Sequence, residues 1–174
     1  SRTPLRVMTA NLLKSNGDGH LIAAAIAAEE PDVVALQELR PEHVQAIRDD
    51  LASTYAYQEL YPGEVSEGLG LLSKAPFTSH ALVPGRPGGN PTQVVQILAG
   101  NRETWLVNFH SRIPEVKLKS ALGLRLPYDM DTEGRETDVR DLVQLVEGRA
   151  GNALIVGDLN TTEYCEEYRL LPGR

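Results

Sequence analysis

The sequence predicts an α/β fold, because short apolar runs alternate with helical segments early in the chain and follow one another directly later. Residues 5–10 and 32–36 are apolar runs on either side of an Ala-rich segment, the pattern of a βαβ unit. Four apolar runs end abruptly in polar residues, as buried strands do when they carry polar groups to a sheet edge. In open α/β sheets that edge is where ligands bind. We therefore expect the functional residues there.

The polar residues at these four strand ends are of types suited to metal and phosphate chemistry. Asn11 follows the first run, Glu38 the second, and His110 follows residues 104–109. The run at 153–156 leads through a glycine to Asp158 and Asn160. Strand side chains alternate, so an Asp-x-Asn pair on an extended segment points to one side. The four ends are predicted to converge on one metal ion and one phosphate.

Three segments have the spacing of helices. Residues 20–30 are rich in Ala and stop at Pro31, and residues 41–53 open with Pro41. Residues 133–149 have an acidic start and Arg149 near the end, which suits the helix dipole.

The middle of the chain predicts short strands, which favour antiparallel pairing. Their expected bounds are 56–60, 69–73, 79–83, 92–99 and 104–109. Residues 84–91 are rich in Pro and Gly and predict an exposed loop. Residues 111–132 have no clear period and contain Pro114 and Pro127. For them a mobile substrate loop and an inert insertion remain equally good interpretations.

Composition limits the function classes. The 174 residues are expected to form one domain, and the formal net charge is -7. The basic residues are scattered, which makes a nuclease that grips long duplexes less favoured. The longest apolar stretch, near residues 21–28, is far shorter than the roughly 20 residues of a membrane span. The lone Cys165 excludes an internal disulfide and is expected to be an ordinary thiol.

Five motifs in order carry a resemblance to a known superfamily. They are Asn11, the Gln-Glu pair ending in Glu38, the Gly-Leu-Leu-Ser-Lys stretch at 70–74, His110 and the Gly-Asp-Leu-Asn motif at 157–160. The chain resembles the endonuclease/exonuclease/phosphatase superfamily, with bacterial members of unassigned substrate nearest in pattern. The resemblance implies a two-sheet α/β sandwich of the deoxyribonuclease-like type. It also implies divalent-metal-dependent phosphoester hydrolysis by an activated water.

The resemblance implies a role for each residue at the strand ends. Glu38 would bind Mg²⁺ or Mn²⁺, and Asn11 would add an amide oxygen or bind the phosphate. Asp158 would orient the attacking water, and Asn160 would hold the phosphate oxygen or transition state. His110 would contact the scissile phosphate.

Two further residues are weaker candidates for phosphate binding and for its support. Glu67 would orient His110, because pancreatic-type deoxyribonucleases have a glutamate in a similar place. Arg112 would face the same way as His110 if the strand continued, and would neutralise a second phosphate oxygen; a solvated loop residue is the alternative. The remaining histidines are expected to be non-catalytic: His20, His43 and His80.

The superfamily pattern closes with a further aspartate and a Ser-Asp-His type motif, which nothing after Asn160 supplies. We therefore expect residues 1–174 to be one domain that is incomplete at its C-terminus and lacks the last strands. As an isolated chain it would be nearly inactive and prone to associate. The charge modestly favours a small or lipid-linked phosphoester substrate. A repair-type or degradative nuclease is the alternative, and a non-catalytic phosphate- or partner-binding module is the alternative from another class.

Overall fold

A computed structural model describes residues 4–13, 15–99, 102–121 and 124–171. The elements follow in the order β1 (Val7–Asn11), α1 (Gly19–Glu29), β2 (Val33–Gln37), α2 (Pro41–Leu51), β3 (Tyr57–Tyr61), β4 (Leu69–Ser73), β5 (Phe77–Val83), β6 (Thr92–Ala99), β7 (Arg102–His110), β8 (Glu115–Ala121), β9 (Leu124–Asp131), α3 (Glu133–Glu147), β10 (Asn152–Asp158) and a 3-10 helix (Glu167–Leu170).

Two four-stranded sheets form the centre of the molecule. The first has the order β1-β2-β4-β3, with β1 and β2 parallel and the other pairs antiparallel. The second has the order β10-β7-β6-β5, and here β10 and β7 are parallel. Each parallel pair is joined through a helix, as parallel neighbours require. The predicted α/β fold with two sheets is confirmed.

Alternating side chains on the strands pack against different layers. On β2, Val33 and Ala35 face the second sheet, where they pack with Val95 and Leu106. Val34 and Leu36 between them face α1 and α2, so β2 is buried along its whole length and apolar up to Gln37. A separate cluster around Leu142 fixes α3 to the outer face of the second sheet. The molecule is a four-layer α/β/β/α sandwich.

The irregular segment expected at 111–132 is a β-hairpin. β8 and β9 pair antiparallel and form a two-stranded sheet of their own. The ladder slips between Lys117 and Leu118, and Leu118 faces Pro127 across it. Proline lacks the ladder donor and is tolerated at such irregularities. A hairpin outside the two main sheets need not show the alternation that core packing imposes, so the sequence did not reveal it.

Candidate active site

Two parallel strand pairs bring the site together. In the first sheet Asn11 ends β1 in register with Gln37, so Glu38 comes directly after the neighbouring strand. In the second sheet Asp158 ends β10 opposite His110, the last residue of β7. The carboxyl ends of both pairs lie at one edge of the sandwich. The structure brings these four strand ends together, as the sequence predicted.

The side-chain amide of Asn11 joins the two sheets at this edge. Its Nδ2 donates to Glu38 Oε1 and to Asp158 Oδ2, both at 3.0 Å. Its Oδ1 accepts from the Leu13 amide at 2.9 Å and is therefore turned away from the two carboxylates. One amide group therefore bridges two carboxylates from different sheets.

The bridged carboxylates fit a divalent cation. Two carboxylates held near one amide nitrogen repel each other, and a cation would relieve that repulsion. Carboxylate and amide oxygens are the ligands that Mg²⁺ and Mn²⁺ prefer. Glu38 would hold the ion, with Asn11 and Asp158 beside it. Among the described residues there is no group of three or more His, Cys, Asp or Glu side chains placed to hold a metal. One or two carboxylates, completed by waters and phosphate oxygens, are an ordinary ligand set for Mg²⁺.

His110 presents one ring nitrogen to the carboxylates. The side chain is buried, and Nδ1 lies 3.0 Å from the carbonyl oxygen of Ser66. A carbonyl only accepts, so Nδ1 carries a hydrogen and donates. Nε2 is 3.9 Å from Glu38 Oε1 and is therefore the nitrogen that faces the site.

The expected pairing of Glu67 with His110 is wrong. The carboxylate of Glu67 turns to its own loop and accepts from the amides of Glu64 and Val65 at 2.9 and 3.1 Å. Burial acts to raise the pKa of Glu67, but the surrounding backbone amides outweigh it and hold this pKa below its ordinary value. The neighbouring Ser66 carbonyl, not the Glu67 side chain, orients the histidine.

Asn160 is placed by a turn rather than by strand alternation. β10 ends at Asp158, and Asn160 has a left-handed backbone with φ of 47°. Its amide donates to Asp158 Oδ1 at 2.9 Å, and its Nδ2 donates to the Ser111 carbonyl at 2.7 Å. The two predicted residues do lie together, but the alternation argument for them is wrong because the strand has already ended.

Arg112 does not continue the line of His110. β7 ends at His110, and the Arg112 guanidinium forms a two-pronged ion pair with Asp138 on α3, at 2.6 and 2.9 Å. Its side chain runs between Gly89 and Gly134, where an added Cβ would come within 3.1 and 2.9 Å of it. The strand-based argument for a site cation is therefore wrong. The ion pair fastens the segment after β7 to α3.

The three remaining histidines make contacts elsewhere in the fold. His43 is buried, accepts from the Arg40 amide through Nδ1 and donates from Nε2 to the Asn16 carbonyl. The other two are exposed and pair with carboxylates: His20 with Asp50 and His80 with Glu59.

Sequence reasoning missed a buried network behind the site. Gln37 Nε2 donates to Asn108 Oδ1 at 2.8 Å across the two sheets. Asn108 Nδ2 donates to the carbonyls of Leu36 and Gly70 and to Gln93 Oε1. Gln37 precedes Glu38, and Asn108 lies two residues before His110. A polar residue inside an otherwise apolar strand, as at 93 and 108, was the available signal.

Arg135 was also missed. This buried residue of α3 donates from NH1 to the carbonyl of Asn160 and forms an ion pair with the equally buried Glu167. Its sequence context, the first turn of a helix, gives no hint of such a position.

A two-sheet sandwich with polar groups at the carboxyl ends of its parallel strands belongs to the class of α/β proteins that bind ligands at a sheet edge. Residues 8–174 match the Endonuclease/Exonuclease/phosphatase family, and the chain belongs to that family. A search of curated protein sequences found no match. No helix among the described residues is long and apolar enough to cross a membrane.

Solved structures of the same fold accompany the family match. Humanized TDP2 of D. rerio superimposes with a TM-score of 0.70 at 19% identity, over 97% of this chain and 67% of that chain. D. rerio TDP2 complexed with single-strand DNA product superimposes with a TM-score of 0.66 at 18% identity, over 91% of this chain and 62% of that chain. Sphingomyelinase C from Streptomyces griseocarneus superimposes with a TM-score of 0.69 at 19% identity, over 97% of this chain and 68% of that chain. The chain thus spans about two thirds of these proteins, and at such identities the similarity shows the fold.

Proposed function

We propose that this chain is the site-bearing part of a divalent-metal-dependent phosphoester hydrolase, a phosphodiesterase or phosphatase that uses an activated water. The observation that carries the proposal is the convergence of Glu38 and Asp158 on the Asn11 amide, 3.0 Å from each. Family membership supports the reaction class. Magnesium or manganese is the expected ion, because the donors are hard oxygens.

Each residue of the site has a proposed task. Glu38 holds the ion, and the Asn11 amide beside it holds the Glu38 carboxylate in place through an N–H bond. The ion when bound supplies positive charge to a phosphoryl oxygen. Asp158 accepts a hydrogen bond from the attacking water, and its own bonds to Asn11 and Asn160 fix its orientation. The Asn160 amide uses one N–H on Ser111, and its second N–H donates to a phosphate oxygen. In its imidazolium form, with Nδ1 donating to Ser66, His110 donates from Nε2 to another oxygen of the phosphate.

The proposed substrate is a small or lipid-linked phosphoester. A formal net charge of -7 with scattered basic residues gives little attraction to long nucleic acid. Nuclease activity is the alternative within the class. The neighbours of known structure include one solved with single-strand DNA product and one named sphingomyelinase C, so the fold accommodates both substrate types.

A second candidate function is a binding module that does not catalyse. It is supported by the same geometry, because Glu38 and Asp158 on either side of the Asn11 amide could hold a cation without activating a water. Such a module would retain phosphate or metal binding without turnover.

The test measures binding and turnover on the same preparations. Mn²⁺ binding is followed by electron paramagnetic resonance, and Mg²⁺-dependent hydrolysis is followed with bis-p-nitrophenyl phosphate and with p-nitrophenyl phosphate. The variants are Glu38→Gln and Asp158→Asn, with Asp141→Asn on α3 as the matched control. The hydrolase proposal expects turnover that both site variants abolish and the control retains. Mn²⁺ binding that depends on Glu38 without turnover supports the binding module, and an absence of both rejects the two functions together.

A further inference from the structure

Arg135 contacts the candidate active site from the side away from the carboxylates. It lies in the first turn of α3 with its side chain 7% exposed. NH1 donates to the Asn160 carbonyl, and NH2 pairs with Glu167, whose side chain is 6% exposed. We propose that Arg135 is a positioning residue, one that holds Asn160 in its productive conformation. This inference rests on the proposed function and deepens it.

The Asn160 backbone needs to be held. A positive φ is unfavourable for a residue with a side chain and persists where surrounding contacts determine it. Three elements contribute such contacts: Asp158 at the end of β10 binds the amide, Ser111 after β7 binds the side chain, and Arg135 on α3 binds the carbonyl. The carbonyl contact fixes the peptide plane that follows Asn160. Without it the left-handed turn loses its support from α3.

The chemistry of the pair favours an arginine in this position. A buried cation needs a buried anion, and Glu167 supplies it from the 3-10 helix. The planar guanidinium presents several N–H groups in a fixed geometry, so one side chain serves the carboxylate and the carbonyl at once. A lysine at 135 would supply a positive charge but not the planar arrangement of N–H donors that reaches both groups. The guanidinium therefore links both ends of the segment from Asn160 to Glu167 to α3.

Arg135 acts through Asn160 and does not itself touch the phosphate, because its side chain is buried and its N–H groups contact the Asn160 carbonyl, Glu167 and Cys165 Sγ. Its loss should therefore lower kcat more than it changes KM. Asn160 is assigned to the transition state, and displacing such a group by about 1 Å costs on the order of 100-fold in rate. A purely structural ion pair would instead lower the amount of folded protein without changing kcat per folded molecule.

The matched control lies on the same helix. Arg140 forms an ion pair with Glu136 at 2.6 Å, but there the side chains are 57% and 45% exposed. Arg135→Lys and Arg140→Lys make the same chemical change in two ion pairs on α3. The pair of Arg135 is buried and contacts Asn160, whereas the pair of Arg140 is exposed and does not. Glu167→Gln removes the charge that orients Arg135 while leaving Arg135 itself in place.

The experiment combines NMR with kinetics on the whole chain. Protein labelled with ¹⁵N at asparagine is compared among wild type, Arg135→Lys, Glu167→Gln and Arg140→Lys, and Asn160→Asp identifies the resonances of residue 160. We expect the backbone and side-chain signals of Asn160 to shift in the first two variants and to stay in place in Arg140→Lys. Where wild type hydrolyses p-nitrophenyl esters, kcat should fall about 10- to 100-fold in Arg135→Lys with KM nearly unchanged.

The two readouts separate the two proposals. Wild type without turnover rejects the hydrolase, while the Asn160 signals still decide whether Arg135 positions that residue. Unmoved Asn160 signals in a folded Arg135→Lys protein overturn the inference. If Arg135→Lys does not fold, Glu167→Gln decides alone: shifted Asn160 signals support positioning and unmoved signals overturn it.

Discussion

Glu38 and Asn160 both have left-handed backbones, with φ of 56° and 47°. Residues with side chains adopt this region rarely, and such conformations concentrate at functional sites. Each stands just past the end of its strand, where the chain leaves the ladder. The turn takes the place of strand alternation in deciding where these side chains point.

Replacing Asn11 by aspartate should increase the electrostatic repulsion among the carboxylates of the site. In Asn11→Asp a third carboxylate takes the place of the amide that donates to Glu38 and Asp158. Loss of these charge-assisted bonds and the added repulsion should lower the free energy of unfolding by about 2 kcal/mol in the presence of a chelator. Mn²⁺ should recover more stability in this variant than in wild type, because its site is more negative.

Urea unfolding with chelator and with Mn²⁺ measures both effects. Asn152→Asp, at the exposed start of β10, is the matched control and should change neither value. Equal stability of Asn11→Asp and wild type in chelator would contradict the bridging role of the amide.

His20 provides a pH-dependent contact away from the site. A hydrogen bond from its ring to Asp50, and the charge of that carboxylate, raise the pKa of His20 above the ordinary 6.5, with Asp18 and Asp49 adding smaller effects. Because the folded pKa is the higher one, the contribution to stability is complete below pH 6.5 and is lost as the pH rises through the folded value.

An NMR titration of the histidine ring protons should therefore give His20 a midpoint above 6.5, and Asp50→Asn should lower that midpoint. Asp49→Asn should lower it less. An unchanged midpoint in Asp50→Asn would show that the ion pair is absent in solution.

Among the elements, β10 leaves no room for a side chain against β7 at Gly157. This residue has φ of 138°, and an added Cβ would lie 1.8 Å from the Phe109 carbonyl oxygen. Only glycine accommodates both the conformation and the contact. The approach sets how Asp158, the next residue, meets His110.

Gly157→Ala should therefore disturb the end of the β10–β7 ladder. The strained φ and the clash with backbone together should lower the free energy of unfolding by about 3 kcal/mol or more. Gly17→Ala is the control, because nothing lies within 4 Å of a Cβ built there. Chemical denaturation of the two variants makes the comparison, and equal midpoints would show that the ladder shifts without cost.

The elements that the sequence predicted well are those fixed by the core. β4 and β6 have the predicted bounds 69–73 and 92–99, because their apolar runs coincide with buried strands. The β8–β9 hairpin was not predicted, because it pairs outside the main sheets and its register slips near Pro127. Local periodicity reports burial, so an element without a core-facing stripe gives little signal.

At the scale of the whole molecule, the two sheets meet through buried amides as well as apolar side chains. Gln37 and Asn108 bond at 2.8 Å across the sheet interface, beside the residues that lead to Glu38 and His110. The order of motifs along the chain predicted that strand ends meet. It did not predict this contact, because the register between two sheets is set by tertiary packing that no single strand encodes.

The amide pair should couple the stability of the two sheets. In Asn108→Leu the number and branching of the side-chain heavy atoms are kept, but Gln37, Gln93 and two carbonyls lose a partner in a buried setting. Unsatisfied buried groups of this kind should lower the free energy of unfolding by about 3 kcal/mol. Gln37→Leu should also be destabilising, since it leaves Asn108 Oδ1 unpaired.

The double variant Gln37→Leu/Asn108→Leu should be more stable than the sum of the single losses predicts, by about 1–2 kcal/mol, because the contact is lost only once. Urea unfolding of wild type, the two single variants and the double variant completes this double-mutant cycle. The control Asn152→Leu, at the exposed start of β10, should have a free energy of unfolding within about 0.5 kcal/mol of wild type. Strict additivity would mean that the two amides act independently. The alignment of Glu38 with His110 would then depend on the other contacts between the sheets, which include the Asn108 bonds to the Leu36 and Gly70 carbonyls and the apolar packing. The site geometry should then survive in Gln37→Leu.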